Sequence, residues 1–231
     1  ADDANEQALR DYVDHLCAAP VAVRQDAANS QHYEVPAAFF ELVLGPHLKY
    51  SGCLFDNEAY GLDRAEAAML DLTCDRAGLD GAHNILELGC GWGSLSLHMA
   101  RRFPQAQILA LSNSASQREF IQARAAQRGL DNLRVITQDR VDFEPAQRFD
   151  RIVSVECLEH MRNYELLFVR IANWLERDGA AFLHVFCHER FAYLFEEEGQ
   201  DDWMARHFFS GGQMPSYDLF RRFDRDLQVE Q

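Results

Sequence analysis

From residue 84 onward, short apolar runs alternate with stretches whose apolar residues recur every three or four positions. The runs predict buried strands, and the spaced stretches predict amphipathic helices. The predicted strands are 84–88, 107–112, 133–138, 149–155 and 180–186, and the predicted helices are 94–103, 114–128 and 164–176. Because strands and helices alternate, we expect an α/β fold with a mostly parallel sheet.

Two local patterns sharpen this prediction. Ser114 followed three residues later by Gln117 is typical of a helix N-cap, and Gly129 is typical of a helix end. The run at 180–186 is almost wholly apolar, which predicts a strand that is covered on both faces.

The segment before residue 84 predicts helices rather than strands. Leu9, Tyr12, Val13 and Leu16 share one helical face within 6–18, and a second helix is expected from Pro36 to Leu44. Residues 50–55 indicate an extended segment.

A third helix is predicted from Asp63 to Gly78. Asp63 with Glu66 three positions later resembles a capping box at its start. The buried face of this helix would carry Ala68, Met69, Leu72 and Ala77.

Three consecutive segments follow from these patterns. We expect an N-terminal helical lid at 1–80, a Rossmann-like core at 81–188, and an aromatic-rich, substrate-covering insertion at 189–231. The last residues, from Asp226, indicate the beginning of a further strand.

Composition and charge limit the partners. The 231 residues carry a net charge of −15, which disfavours nucleic acid and docking on anionic membranes through a basic patch. No apolar run is long enough for a transmembrane helix, and the acidic N-terminus is unlike a signal peptide. The six cysteines show neither zinc spacing nor pairing, which predicts free thiols, no metal site and a cytoplasmic location. The oligomeric state stays open, with a homodimer as one alternative.

The stretch most informative about chemistry is a glycine-rich loop after the first strand, with the pattern Glu87-x-Gly89-x-Gly91-x-Gly93. Strand, glycine loop and helix together favour a nucleotide-type site. An acidic residue at the strand end would repel a pyrophosphate, so the pattern favours a ligand with a cationic or zwitterionic end. This loop resembles the first motif of class I S-adenosylmethionine (SAM) methyltransferases; a glycine turn in another doubly wound domain is the alternative.

Polar side chains follow the other predicted strands too. Because ligands of open parallel sheets bind beyond the carboxyl ends of the strands, we expect these side chains to share one cleft. Hydroxyl and amide groups after the second strand suit a ribose, and a carboxylate after the third suits an adenine amino group. The polar residues at the strand ends are Ser112, Asn113 and Gln117, then Asp139 and Arg140, then Glu156, Glu159 and His160.

Glu156, Glu159 and His160 are the candidates for acid–base chemistry, since three titratable groups stand within five positions at a strand end. Helix capping by the acidic residues is the structural alternative. His184 lies inside a predicted strand and is interpreted as a core histidine. Aromatic residues after the last strand suit either a cation-binding wall or the packing of an added subdomain: Phe186, Phe191, Tyr193, Trp203, Phe208 and Phe209.

From about Gln31 to its last residues, the chain resembles the cyclopropane fatty acid synthase-like group of SAM-dependent enzymes, and in detail its coclaurine N-methyltransferase branch. The first resemblance rests on 31–36, 50–55, 87–93, 112–117 and 159–160, and the second on 155–167, 186–193, 201–204 and 208–216. It implies a SAM-dependent N-methyltransferase that acts on a small, alkaloid-like amine.

The resemblance also implies residue roles. Tyr50 and Ser51 would close over SAM; Glu87, Gly89 and Gly91 would lie near its methionine part. His32 and Tyr33 are candidates for the same lid. The other residues of the implied cofactor site are Ser112, Asn113 and Gln117 near the ribose, Asp139 and Arg140 at the adenine, and Val155. Glu159 and His160 would hold or deprotonate the amine, and Glu156 would hold the substrate cation.

Two alternatives remain open at this point. A cyclopropane synthase-like enzyme would use a bicarbonate site formed by residues matching Glu159 and His184 and by a cysteine, where this chain has Gly52. A SAM-binding protein without catalysis is the second alternative. Members of the group continue past the point where this sequence stops, so we expect it to be part of a longer protein.

Overall fold

The structure is a computed structural model, which describes residues 2–23, 35–56, 60–81, 83–139, 141–196, 199 and 202–230. Its helices are α1 (Asp2–Ala18), α2 (Ala37–Val43), α3 (Leu62–Arg76), α4 (Ser94–Arg102), α5 (Ala115–Gln127), α6 (Tyr164–Trp174) and α7 (Trp203–His207). Its strands are β1 (Asn84–Leu88), β2 (Gln107–Ser112), β3 (Leu133–Thr137), β4 (Phe149–Val155), β5 (Leu175–His184), β6 (Tyr193–Leu194) and β7 (Gln213–Met214). Short 3-10 helices lie at Leu158–His160 and Leu219–Arg222.

Five strands form one sheet in the order β3-β2-β1-β4-β5. β1 pairs in parallel with β2 and β4, and β2 pairs in parallel with β3. The central strand β1 is buried from Ile85 to Leu88, as expected for an apolar strand between two helical layers. This mostly parallel α/β architecture confirms the predicted class I methyltransferase-like fold.

Most element boundaries match the sequence pattern within one or two residues. The predicted cap of α5 is formed: Gln117 N donates to Ser114 Oγ at 3.3 Å. Gly129, just after the helix, has a positive φ of 64°. In α1, Leu16 is buried and the other apolar positions of its predicted face are partly covered.

The prediction for α3 was wrong in two respects. The helix begins at Leu62 after Gly61, with no side-chain cap, and Asp63 instead lies 3.1 Å from His47. Glu66 points inward and binds backbone N–H groups of residues 45–49. The buried face consequently consists of Ala65, Glu66, Leu70, Thr73 and Cys74 rather than Ala68, Met69 and Leu72, while Ala77 just beyond the helix is buried as predicted.

The last strand of the sheet also differs from its prediction. β5 runs from Leu175 to His184 instead of over 180–186, and only Leu175 in it is buried. Its position at the edge of the sheet explains this exposure, since an edge strand lacks one neighbour. His184 is therefore only partly buried and is not the core histidine that we expected. Residues 227–230 form no strand, so the predicted beginning of a further strand is wrong there.

The chain divides into two compact units that do not follow the order of the sequence. Unit 1 comprises 1–32, 155–174 and 183–231, and unit 2 comprises 33–154 and 175–182. Unit 1 has its own aromatic core, in which the buried Tyr164 packs against Phe220 and Phe223. No helix among the described residues has both the length and the apolar character needed to cross a bilayer.

Gly93 is required where α4 begins close to α5. Its φ is +82°, and a Cβ built there would lie 2.6 Å from Ile121 Cγ1. We expect Gly93→Ala to lower the free energy of unfolding by about 2–4 kcal/mol, because left-handed strain adds to overpacking. Urea denaturation without ligands measures this effect. Gly91→Ala is the matched control: φ is +50° and no atom lies within 4 Å of the built Cβ, so it should cost about 1 kcal/mol. Equal losses in the two variants would contradict the packing argument.

Candidate active site

The glycine loop between β1 and α4 folds back on the end of β2. Gly89 N and Cys90 N both donate to Leu111 O at 3.1 Å. Gly89 and Gly91 both have positive φ, at 81° and 50°. Since nothing lies near the position of a Gly91 Cβ, the loop presents bare backbone on that side. A ligand can approach the main chain closely there.

Glu87, the acidic residue of the loop motif, is buried in unit 2. Its carboxylate accepts a hydrogen bond from the Ser96 hydroxyl. Burial raises the pKa of Glu87 to about 7, and the bond from Ser96 opposes that rise. The group is therefore divided between its neutral and charged forms near neutral pH, which suits a partner with a cationic ammonium group.

The stability of the protein should depend on the charge of Glu87. The folded protein holds this proton up to about pH 7, whereas the unfolded chain releases it near 4.5, so the free energy of unfolding falls as pH rises through that window. The contribution is complete below the lower value and is lost above the higher one, with a size of about 3 kcal/mol. Glu87→Gln should flatten this slope in urea denaturation series at pH 4 to 8. A slope unchanged in the variant would show that Glu87 titrates normally.

The end of β2 supplies polar groups suited to a ribose. Ser112 Oγ donates to Gln117 Oε1 at 2.8 Å and accepts from Ser114 N at 3.0 Å. Asn113 Oδ1 and Trp92 Nε1 are buried and have no hydrogen-bond partner within the described chain. A buried acceptor and a buried donor without protein partners call for a polar ligand or water. The structure thus brings Ser112, Asn113 and Gln117 together as predicted.

The structure describes only some of the remaining residues of the predicted cofactor site and lid. Asp139 Oδ1 accepts from Val141 N at 2.8 Å. Arg140, His32 and Tyr33 lie outside the described residues. Val155 is the last residue of β4.

Tyr50 is connected to the glycine loop through aromatic packing. Its ring lies 5.5 Å from that of Phe40, which lies 5.3 Å from that of Trp92. Tyr50 itself is half exposed, and partial burial raises its pKa. The segment containing Tyr50 and Ser51 therefore belongs to the same unit as the loop, as a closing segment requires.

Glu66 was not predicted as a functional residue. Its carboxylate is fully buried and accepts from Gly45 N, His47 N and Lys49 N at 3.1, 2.8 and 3.0 Å. These bonds hold the segment that leads directly into Tyr50 and Ser51. The sequence shows no local signal for this role, because the donors stand 17 to 21 positions away.

The predicted acid–base cluster lies in unit 1, where β4 ends. Glu156 has a left-handed φ of 49°, and its N–H donates to His184 O at 2.7 Å. A non-glycine residue in this region is strained, and such strain is concentrated at functional sites. The chain turns here into the 3-10 helix that contains Glu159 and His160.

Glu159 is the most perturbed acid of this cluster. Its side chain is buried; Oε1 accepts from Phe186 N at 2.9 Å, while Oε2 has no hydrogen-bond partner among the described residues. Burial raises the pKa of Glu159 to about 8, and bonds from the backbone N–H groups of Glu159 and Phe186 oppose the rise. An unpartnered carboxyl oxygen with a pKa near neutrality is suited to exchanging a proton with an amine. Helix capping, the structural alternative, requires neither an unpartnered carboxyl oxygen nor a raised pKa.

His160 packs against one member of an aromatic cluster. Its ring centroid lies 4.9 Å from that of Phe209, which packs against Phe186 and against Phe195, a residue that was not predicted. Of the predicted wall, Phe208 and Tyr193 join this group, and Trp203 stacks on Phe208 although it is largely exposed. Phe191 packs with His188 instead. A Cβ on Gly212 would lie 2.7 Å from Glu159 O, so the chain passes tightly behind the acid.

The described cofactor-type residues other than Val155 lie in unit 2, whereas Val155 and the acid–base cluster lie in unit 1. In unit 2 the end of β2 brings Ser112, Asn113 and Gln117 together, and in unit 1 the turn after β4 holds Glu156, Glu159 and His160. That the two groups share one cleft stays a prediction.

The family of this chain follows from its similarity to known proteins. The sequence profile of the mycolic acid cyclopropane synthetase family matches residues 22–229. The chain belongs to this family. An (S)-coclaurine N-methyltransferase of Thalictrum flavum subsp. glaucum is 40% identical over 211 residues, which are 90% of this chain and 58% of that enzyme. The cyclopropane-fatty-acyl-phospholipid synthase of Escherichia coli K12 is 30% identical, over 80% of this chain and 46% of the synthase.

A solved structure of the family agrees with this similarity. The crystal structure of a coclaurine N-methyltransferase bound to N-methylheliamine and S-adenosylhomocysteine superimposes with a TM-score of 0.93 at 36% identity. The match covers 98% of this chain and 66% of that structure. The chain spans less than two thirds of the length of the first curated relatives that it matches.

Proposed function

We propose that this protein is a SAM-dependent N-methyltransferase that acts on a small, alkaloid-like amine. The observation that carries the proposal is the Glu159 carboxyl beside His160, which is buried and has a pKa near 8, and one of whose oxygens has no hydrogen-bond partner in the described part of the chain. The greater similarity to N-methyltransferases than to the cyclopropane synthase supports it.

The residues of unit 2 fit SAM as the cofactor. When bound, SAM supplies a methyl group activated by a sulfonium. The bare backbone at Gly89 and Gly91 would lie against its methionine part, and Glu87 would face the ammonium group. Asn113 Oδ1 would accept from a ribose hydroxyl, and Asp139 would accept from the adenine amino group, beside Arg140. Tyr50 and Ser51 complete the part of the proposed cofactor site that lies in unit 2, and Val155 is the one candidate in unit 1.

The residues of unit 1 would manage the amine and its proton. An ammonium ion has no lone pair to attack with, so the nitrogen must be neutral when it receives the methyl group. Glu159 would take that proton, with His160 sharing it or directing the nitrogen. Glu156 would hold the cationic substrate on entry. The methylated nitrogen again carries a positive charge while Glu159 holds the first proton, so Glu156 would stabilise the product as charge develops.

A cyclopropane synthase activity is less well supported. The residue at the position of the bicarbonate-site cysteine is Gly52, whose φ of 61° favours glycine over cysteine. A non-catalytic SAM-binding protein would have no use for the proton-exchanging Glu159. A cytoplasmic location belongs to the same proposal and is supported by the six free cysteines.

The test is product detection by mass after incubation with SAM and a panel of cyclic and aryl-alkyl secondary amines, beside vesicles of unsaturated phospholipid. We expect methylated amine and no cyclopropane lipid. Cyclopropane product without amine methylation would identify a synthase instead. Saturable SAM binding with no transfer to any member of the panel would identify the non-catalytic alternative.

A further inference from the structure

The 3-10 helix that carries Glu159 and His160 is held by side chains from distant parts of unit 1. Met161, the residue just after this helix, accepts a hydrogen bond at its backbone carbonyl from Gln213 Nε2. Gln213 is completely buried on β7, 52 positions further along the chain. Its own amide oxygen accepts from the hydroxyl of Tyr12 on α1 at 2.7 Å. The two hydrogen bonds therefore connect α1 and β7 to the end of the acid–base segment.

The direction of these hydrogen bonds is determined by the last acceptor. A backbone carbonyl can only accept, so the NH2 group of Gln213 must face Met161 and its oxygen must face Tyr12. The Tyr12 hydroxyl is therefore the donor of its bond. Burial raises the pKa of Tyr12, so this hydroxyl keeps the proton that it donates. Tyr12 thus determines which end of the Gln213 amide binds Met161.

The residues before Gln213 contact the acid–base segment at two further points. Arg162 Nε donates to Gly211 O at 3.1 Å. A Cβ built on Gly212 lies 2.7 Å from Glu159 O, so the two backbones are in close contact there. Three consecutive residues of one segment therefore contact the stretch from Glu159 to Arg162.

These contacts bear on orientation more than on stability. The net contribution of a hydrogen bond to stability is small, because the unfolded chain makes a similar bond with water. An apolar side chain of the same length would fill the place of Gln213 but would leave Met161 O without this donor. Catalysis is more demanding, since a misplacement of about 1 Å can lower a rate by about 100-fold.

We propose that Tyr12 and Gln213 are positioning residues, which hold the 3-10 helix so that Glu159 and His160 face the substrate amine. The inference rests on the proposed N-methyltransferase function. Both residues act through the Met161 carbonyl, which follows Glu159 by two positions in the chain.

Two substitutions test the role kinetically. Gln213→Met keeps the length of the side chain and removes both hydrogen bonds; it should lower kcat for amine methylation about 10- to 100-fold, because the base is displaced. Tyr12→Phe removes one hydroxyl and should cause a smaller loss. Because Tyr12 acts through Gln213, the double variant should be no slower than Gln213→Met alone. The KM for SAM should not change, since neither residue hydrogen-bonds to a described residue of the proposed cofactor site.

Arg222→Gln is the matched control. Arg222 forms two hydrogen bonds with Glu6, at 2.8 and 2.9 Å, and so ties the same helix α1 to the 3-10 helix at Leu219–Arg222. This tether involves no residue of 158–161, so its loss should leave kcat unchanged. A merely structural role of the two proposed positioning residues would predict the unsubstituted kcat in every folded variant.

Hydrogen exchange tests the inference without activity. In folded Gln213→Met, the amides of 157–162 should exchange about tenfold faster than in the unsubstituted protein, whereas those of β1 should not change. If the unsubstituted protein methylates no amine, the proposed function fails, and this measurement still decides the positioning role. Unchanged kcat in folded Gln213→Met, additive losses in the double variant, or unchanged exchange over 157–162 would overturn the inference. If Gln213→Met fails to fold, Tyr12→Phe decides by the same two measurements.

Discussion

Glu159→Gln should reduce kcat for amine methylation by about 100- to 10,000-fold, the range typical of a lost general base. Glutamine keeps the size of the side chain and still accepts from Phe186 N through its oxygen, but it cannot take a proton. Steady-state kinetics with SAM and the best amine of the panel measures the loss. Glu165→Gln, at a partly exposed position of α6 that pairs with Arg225, is the matched control and should keep full activity.

The pH profile distinguishes a base from a structural residue. As a base, Glu159 must be unprotonated, so kcat/KM should rise with pH up to about 8 in the native protein. The pH at which kcat/KM rises should be the same for amines of different basicity, and the rise should disappear in Glu159→Gln. A limb that follows the basicity of the substrate would assign the titration to the amine. Wild-type rates in Glu159→Gln would exclude the proposed role.

Glu66→Ala should lower the free energy of unfolding by about 4 kcal/mol. The substitution leaves Gly45 N, His47 N and Lys49 N without their shared acceptor, and each unsatisfied buried donor costs about 1–3 kcal/mol. Chemical denaturation measures the loss. Glu119→Ala on α5, a largely exposed glutamate, should change stability by less than about 0.5 kcal/mol.

The same variant should also affect cofactor binding, because the released segment leads into Tyr50 and Ser51. If Glu66 positions these residues, the SAM affinity of Glu66→Ala should fall under conditions in which the variant is fully folded. Glu66→Gln, which retains one acceptor oxygen, should recover part of both losses. Unchanged stability in Glu66→Ala would mean that water satisfies the three N–H groups.

Local patterns in the sequence were sufficient to predict the succession of most strands and helices along the chain. The Ile85–Leu88 run is apolar except at Glu87 because β1 is covered on both faces, and the Ser114–Gln117 cap needs only residues that are neighbours in the chain. The turn at the glycine motif could be predicted in the same way, because the positive φ values of its glycines depend on local backbone geometry. These features could be predicted because their physical causes act over a few residues.

Long-range contacts decided the rest. Glu66 was assigned to a helix cap because the sequence does not show the backbone donors of 45–49. β5 was expected to be buried because the sequence does not show that this strand lies at the edge of the sheet, a position that the other strands determine. The sequence placed Glu159 beside His160, but only the tertiary structure could bury that carboxyl, leave one oxygen unpartnered and raise its pKa. Residue type and spacing determine which groups are available for chemistry. Desolvation by residues distant in the chain determines whether those groups exchange protons near neutral pH.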